Sequence, residues 1–375
     1  MPDTIYLRPI ALTDSLQSEN GEAIRLAGGL ACANRFALIR RTNGRVVERQ
    51  RLSSGQIPAA IAALPAPLAD QAAQQWANLR KSHAPLALGQ RTIRLDHPQV
   101  MGILNVTPDS FSDGGRHTGT ADAAPIHAAT MLEAGAAIID VGGESTRPGA
   151  APVWEGDEIK RVIPAIERLA AMGAAISIDT RRIGVMEAAL AAGAHVLNDV
   201  SAFRHDPRGL EFAARTQAPI VLMHAPGAPD GAAAENLHEG AGYADPVLDV
   251  FDWLAARRDQ AIAAGIAADR ILLDPGIGFG KSMADNLALM NALPLFHALG
   301  CPLLVGASRK RLIGALSNEA PAHRRLGGSV MLAVKMMQAG VQIIRVHDVP
   351  ETVQAMHVWR GLADAALTDF AQILD

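Results

Sequence analysis

The stretch from Gly102 to Gly115, GILNVTPDSFSDGG, decides how the rest of the chain is read. Its apolar start, Ile103 and Leu104, reads as a strand buried in a core, and Asn105 and Thr107 then bring polar groups to the strand's C-terminal rim. The same pattern recurs in AIIDVGGEST (Ala137 to Thr146), ISIDT (Ile176 to Thr180), HVLNDVS (His195 to Ser201), PIVLMH (Pro219 to His224), RILLDPG (Arg270 to Gly276), PLLVGASRK (Pro302 to Lys310) and QIIRVHD (Gln342 to Asp348). Each apolar run ends in polar or charged residues.

Between these runs lie Ala-rich stretches such as Ile159 to Met172, Val185 to Ala192 and Leu326 to Ala339, whose apolar spacing suits amphipathic helices. Strand alternating with helix implies an α/β fold with parallel pairing through crossovers. Near-continuous apolar strands are what a parallel sheet covered on both faces requires. Eight such units fill the ~250 residues of a closed (β/α)8 TIM barrel, whose functional groups gather at the C-terminal strand ends. An open doubly wound sheet is the alternative architecture.

The 375 residues, 49% hydrophobic and 19% charged, have ordinary globular composition, with room for a large domain and a smaller one. A net charge of −4 argues against nucleic acid as an obligatory partner. Cys32 and Cys301 lie too far apart in sequence to suggest a disulfide framework or a thiolate metal cluster, and a reducing cytoplasm fits them. Neither a signal-peptide pattern nor the ~18 consecutive apolar residues of a membrane span is present.

Residues 1–83 depart from the barrel pattern. FALIRR and RVVERQRL flank Thr42-Asn43-Gly44, and Asn-Gly between two such runs signals a hairpin. Helical stretches follow at Gln56 to Leu64 and Leu68 to Arg80. This predicts a small β-rich N-terminal appendage of unknown function, with the barrel spanning 84–375. A chain starting near His83 is then expected to fold and turn over. The cluster Arg40, Arg41, Arg45, Arg49 and Arg51 reads as a solvated hairpin face before it reads as a contact surface. LALGQRTIRL (Leu86 to Leu95) suggests a further hairpin that closes the barrel's bottom.

The strand ends carry the chemistry. The first loop holds Asp109, Phe111 and Asp113 between Pro108 and Gly114-Gly115, a composition suited to a binding face. In GGESTRPG, Thr146 and Arg147 precede Pro148 and offer neutral donors plus a guanidinium fork to a phosphate; an Arg147–Glu144 surface pair is the plainer reading. Asp179, Asn198 and Asp274 end strands three, four and six and describe a polar pocket able to read a heterocycle edge. Met223 offers that heterocycle an apolar face, and His224 beside it reads as structural more readily than catalytic. DPGIGFGKS is not a phosphate-binding P-loop, because Pro275 stands where that pattern needs Gly; it reads as a glycine-rich exit letting Phe279 and Lys281 approach a ligand. Ser308, Arg309 and Lys310 at a helix start, with Arg345 and His347 on one face of strand eight, suit an anion.

Together these motifs resemble the dihydropteroate synthase family, in the family's order and at its strand ends, over residues 86–360. The resemblance implies an enzyme that joins 6-hydroxymethyl-7,8-dihydropterin pyrophosphate to p-aminobenzoate with Mg²⁺ and acts as a homodimer through C-terminal helices. It implies catalytic roles for Asp179 and Lys310, with Asp109 and Asp113 from the first loop. Asp179, Asn198, Asp274 and Lys310 would hold the pterin edge, with Met223 and Phe279 on its faces. Asn105 would serve the Mg²⁺ site, Thr146, Arg147, Arg345 and His347 the pyrophosphate, and Phe111, Pro148 and Ser308 the p-aminobenzoate pocket. A pterin-dependent methyltransfer domain and a non-catalytic pterin binder are neighbouring readings; STRPG, SRK and the Arg345/His347 pair argue against the first, and the intact loop NVTPDSFSD with the intact anion site against the second. Arg181-Arg182 departs from the small polar residue the family often has after Asp179-Thr180. The Gly/Ala-rich fifth loop, Ala225 to Tyr243, has a composition that points to disorder.

Overall fold

The computed structural model describes residues 3–13, 23–107, 123–145, 153–234, 236–240 and 242–366. At the N-terminus, β1 (Thr4–Thr13), β2 (Ile24–Arg25), β3 (Cys32–Thr42) and β4 (Arg45–Ser53) form an antiparallel sheet in which β3 pairs with all three others. The expected hairpin turns at Asn43 and Gly44, both with positive φ (48° and 76°), as a two-residue connection matching strand twist demands. Helices α1 (Ile57–Ala62) and α2 (Ala66–Arg80) follow, and a short hairpin of β5 (Leu86–Leu88) and β6 (Arg91–Ile93) leads into the barrel.

The barrel strands are β7 (Gln99–Asn105), β8 (Ile138–Gly142), β9 (Ile176–Asp179), β10 (Val196–Asp199), β11 (Ile220–Met223), β12 (Ile271–Asp274), β13 (Leu304–Val305) and β14 (Ile343–Val346). They pair in parallel in the order β12-β11-β10-β9-β8-β7-β14-β13, and a parallel bridge between Leu273 and Leu303 completes the ring. The helices around them are α3 (Ala123–Glu133), α4 (Glu155–Ala171), α5 (Ile183–Ala191), α6 (Gly209–Arg215), α7 (Pro246–Ala263), α8 (Met283–Phe296), α9 (Arg311–Leu316), α10 (Leu326–Gln338) and α11 (Val349–Ala366). Eight strands, eight C-terminal ends and a helical coat are the TIM barrel that the repeated pattern implies.

Inside the ring, side chains two apart along each strand stack in layers. The lowest layer takes one residue from each strand or its start: Met101, Ile138, Ala175, Val196, Val221, Leu272, Leu304 and Ile343. Leu86, Leu88, Ile93 and Leu95 of the β5–β6 hairpin pack into that layer and seal it. Two residues further along β8, β9, β10, β11, β12 and β14 stand Asp140, Ser177, Asn198, Met223, Asp274 and Arg345. Polar chemistry thus sits one layer above an apolar floor.

The N-terminal sheet is not an isolated unit, because its core runs into that of the barrel. Tyr6 packs edge-on against Phe251 of α7 at 5.5 Å, and Phe251 packs against Phe296 of α8 at 6.2 Å. The Tyr6 hydroxyl donates to Asp252 at 2.7 Å, and Arg41 donates to Asp249 at 2.5 Å and to Asp252 at 3.3 Å. Arg45, Arg49 and Arg51 are exposed, in line with a solvated face, whereas Arg41 is buried in the junction. Gln75 of α2 ties the helix to β1 by donating to Ile5 O and accepting from Leu7 N–H.

Candidate active site

Asp179, Asn198 and Arg345 meet at the centre of the ring around Asp140, a residue that the sequence reading passed over. Arg345 Nε donates to Asp140 Oδ2 and its terminal nitrogen to Asp179 Oδ2, each at 2.6 Å. Asn198 Nδ2 donates to the same Asp140 oxygen at 3.1 Å. Burial pushes the Asp179 carboxyl up to about 7 against the pull of Arg345, with Asp140 and Asp199 adding to the rise. A signal for Asp140 was available, since a carboxylate inside the apolar run AIIDV must find a cation or donors once buried.

Asp274 accepts from its own loop at Gly276 N–H, 2.7 Å away, and burial raises its carboxyl while Lys310 opposes the rise. Lys310 is half-buried, and desolvation of its ammonium lowers it to about 8. Its Nζ donates to Ile277 O and lies 4.6 Å from the centre of the Phe279 ring. Phe279 and Met223 share a small apolar cluster with Val200, Ala225 and Leu237, so one wall of the site is greasy. His238 stacks on Phe279 with centroids 5.0 Å apart.

Ser308 and His347 also come together: Ser308 Oγ lies 3.1 Å from His347 Nδ1 and accepts from His347 N–H at 3.2 Å. Arg309 does not join an open anion site, because it is paired with Asp348 through Nε at 3.1 Å. Lys281 does not reach toward a ligand. Its ammonium folds back onto Gly276 O, Phe279 O and His224 Nδ1 at 2.8 to 2.9 Å, and burial lowers it to about 7. His224 is buried against Trp253, and desolvation, with Lys281 nearby, holds it well below the usual histidine range. Asp199 accepts from Ser201 and Phe203 N–H, so it shapes a turn rather than the pocket.

The Arg181-Arg182 pair is turned onto acids. Arg182 grips Glu144 with both terminal nitrogens at 2.9 Å and Glu158 at 2.5 Å, and Arg181 lies 3.5 Å from Glu144. A cleft of about 870 Å³ beside this cluster, lined in part by Trp154, Arg182, His205 and Arg208, lies off the polar layer. The fifth loop is better held than its composition suggested. Arg204 donates to the carbonyls of Ala225, Pro226, Ala228 and Ala232, and Trp253 donates to Gly227 O. Asp109, Phe111, Asp113, Thr146, Arg147 and Pro148 lie outside the described residues. Asn105 ends β7 at the rim, in register with Gly142.

Acids, an amide and cations lining the C-terminal end of a closed parallel barrel define a TIM-barrel enzyme with a site for a polar, flat ligand. The family described as "Pterin binding enzyme" matches residues 101–347. Dihydropteroate synthase of Escherichia coli K12 is 47% identical over 268 residues, which cover 71% of this chain and 92% of that protein. The solved dihydropteroate synthase of Xanthomonas albilineans with 4-aminobenzoic acid superposes with a TM-score of 0.69 at 46% identity, over 75% of this chain and 98% of that one. That of Burkholderia cenocepacia complexed with 7,8-dihydropteroate does so with a TM-score of 0.67 at 40% identity, over 76% and 98%. The chain belongs to the pterin binding enzymes and, among them, to the dihydropteroate synthase family.

Proposed function

We propose that this protein condenses 6-hydroxymethyl-7,8-dihydropterin pyrophosphate with p-aminobenzoate, releasing pyrophosphate and forming 7,8-dihydropteroate for folate synthesis. The observation that carries the assignment of residues is the convergence of Asp179, Asn198, Asp274 and Lys310 above the sealed floor, beside the Met223–Phe279 wall. Carboxylates accept the paired N–H groups of an amino-pterin edge, and the amide and ammonium complete its recognition. The apolar wall covers a ring face. Arg345 and His347, with Thr146 and Arg147, take the pyrophosphate, while Ser308, Phe111 and Pro148 shape the p-aminobenzoate pocket.

Departure of pyrophosphate leaves positive charge on the methylene and the ring. A carboxylate held nearby, Asp179, stabilises that charge, and the cations of strand eight stabilise the leaving anion. An aromatic amine is already a neutral nucleophile, so it needs positioning more than a strong base. Asp109 and Asp113 of the first loop are assigned to the same step.

Among the described residues no three His, Cys, Asp or Glu side chains gather as a metal cage. The donor set still fits Mg²⁺ of the kind that arrives with a diphosphate and takes one or two protein oxygens. Asn105 supplies such an oxygen at the rim, its Oδ1 3.5 Å from where a Cβ on Gly142 would stand. When bound there, Mg²⁺ would neutralise charge on the pyrophosphate oxygens.

Exposed Met331 of α10 and exposed Val358 and Leu362 of α11 support the homodimer that the resemblance implies. Two free, buried cysteines support a cytoplasmic setting. The test of the reaction is pyrophosphate release by the purified protein with the pterin substrate and Mg²⁺. Release that depends on p-aminobenzoate and accompanies dihydropteroate formation is expected. Pterin binding without release would make the chain a non-catalytic binder.

A further inference from the structure

Asp140 has no exposed surface and sits in the second layer of the barrel interior, between the apolar floor and the site. Its Oδ2 receives two donors, Asn198 Nδ2 at 3.1 Å and Arg345 Nε at 2.6 Å, whereas its Oδ1 is buried without a hydrogen-bond partner. A buried carboxylate with one idle oxygen costs stability that an apolar residue in the same place would not. That cost points to a role in the site, because packing does not require a carboxylate here, the floor below being already closed by aliphatic side chains, and both of its partners belong to the site.

We infer that Asp140 is a positioning residue that sets which way the Asn198 amide faces and how the Arg345 fork is turned. A carboxylate only accepts hydrogen bonds, so the Asn198 side chain must direct its NH₂ group at Asp140. Its Oδ1 then faces the opposite way as an acceptor. Without Asp140 the amide could present either end, and half of its orientations would meet a ligand N–H with another N–H.

The same carboxylate orders the cation. Arg345 spends Nε on Asp140 and one terminal nitrogen on Asp179, 2.6 Å away, so its plane is fixed by two acids on neighbouring strands. Held in this way, the guanidinium does not collapse wholly onto Asp179, and that carboxylate keeps its second oxygen for the ligand. Asp140 therefore leaves acceptors at Asn198 and Asp179 for the ligand, on the same layer as Asp274. This inference rests on the pterin reading of the site and assigns the polarity of the edge recognised: hydrogen-bond donors on the ligand, acceptors on the protein.

The test uses the full-length protein with Asp140→Asn, which is isosteric and removes the obligatory acceptor. The KM for the dihydropterin pyrophosphate should rise about ten- to a hundred-fold, the scale of a lost charge-assisted hydrogen bond, while the KM for p-aminobenzoate stays unchanged. Calorimetric affinity for the pterin substrate without the amine should fall by the same factor. Thermal stability should fall, since the change leaves Arg345 with Asp179 as its remaining acid partner; the split between the two KM values, which a general loss of stability would not produce, separates positioning from a structural role. Asp140→Glu, which keeps the charge but displaces the carboxylate, should show the same split between the two KM values, and it carries the comparison if Asp140→Asn does not fold. Unchanged pterin affinity in either folded variant, or equal losses for both substrates, overturns the inference and leaves the reaction assignment standing. A wild-type protein that binds no pterin overturns the assignment itself.

Discussion

The two ends of the barrel are built from the same eight strands and serve opposite purposes. At the N-terminal end, each strand gives one apolar residue to a layer that the β5–β6 hairpin closes with Leu86, Leu88, Ile93 and Leu95. Two residues higher the layer becomes Asp140, Asn198, Asp274 and Arg345, where burial shifts titrations and acids compete for the same cations. The period of two along a strand makes both ends from one run of sequence. Stability and chemistry are separated by a distance of two residues.

That separation can be broken from either side. The largest expected effect is at the top. Lys310→Ala removes the ammonium held beside Phe279 and Asp274 and should lower kcat/KM by about 10²-fold or more, the scale of losing one pre-organised electrostatic group. The melting temperature should move far less than turnover does, because Lys310 is only half-buried. Near-normal turnover in a steady-state assay would remove Lys310 from the site.

A smaller and opposite effect is expected from the floor. Leu88→Ala should cost about 3 kcal/mol in urea unfolding, the usual scale for an emptied core position. Turnover per folded molecule should be unchanged. A change in substrate KM from this substitution would mean that the floor also shapes the site.

The smallest effect is a pH trend. Asp179 is raised to about 7 in the folded protein from 3.8, chiefly by burial, so between those values the native state holds a proton that the unfolded chain has released. Stability therefore falls as pH rises through that window, and the full cost persists above about 7. Asp179→Asn mimics the protonated form. Its melting temperature relative to wild type should climb from pH 5 to pH 8, and a flat difference would show that Arg345 fully compensates the charge.

Most of the barrel was legible because each strand announces itself twice, by an apolar run and by the polar residue that ends it. Asp179, Asn198 and Asp274 could be read for that reason. Asp140 stands in mid-strand, so the run AIIDV signals a buried carboxylate in need of partners, but that these are Arg345 and Asn198 emerges only once the barrel brings distant strands together. Lys281 misled because a lysine beside glycines looks ligand-facing, and nothing local reveals that His224, distant in sequence, will accept from it. The place of Arg181-Arg182 was hidden for a similar reason: their acceptors, Glu144 and Glu158, come from the preceding strand end and helix. Long-range pairing is what a linear pattern withholds.

The junction between Tyr6 and α7 bears on how the chain is made. Tyr6 and its hydrogen-bond partner Asp252 are 246 residues apart. At ribosomal rates of ~5–20 residues per second, the N-terminal sheet waits roughly 10–50 s for the helix that will cover it. The hairpin of β3 and β4 and the strap of α2 over β1 can assemble locally in that interval, but the face carrying Tyr6 stays bare until α7 and α8 emerge. The nascent chain thus displays a ready-made apolar surface throughout synthesis of most of the barrel, and this is the moment at which a holdase chaperone has most to offer it.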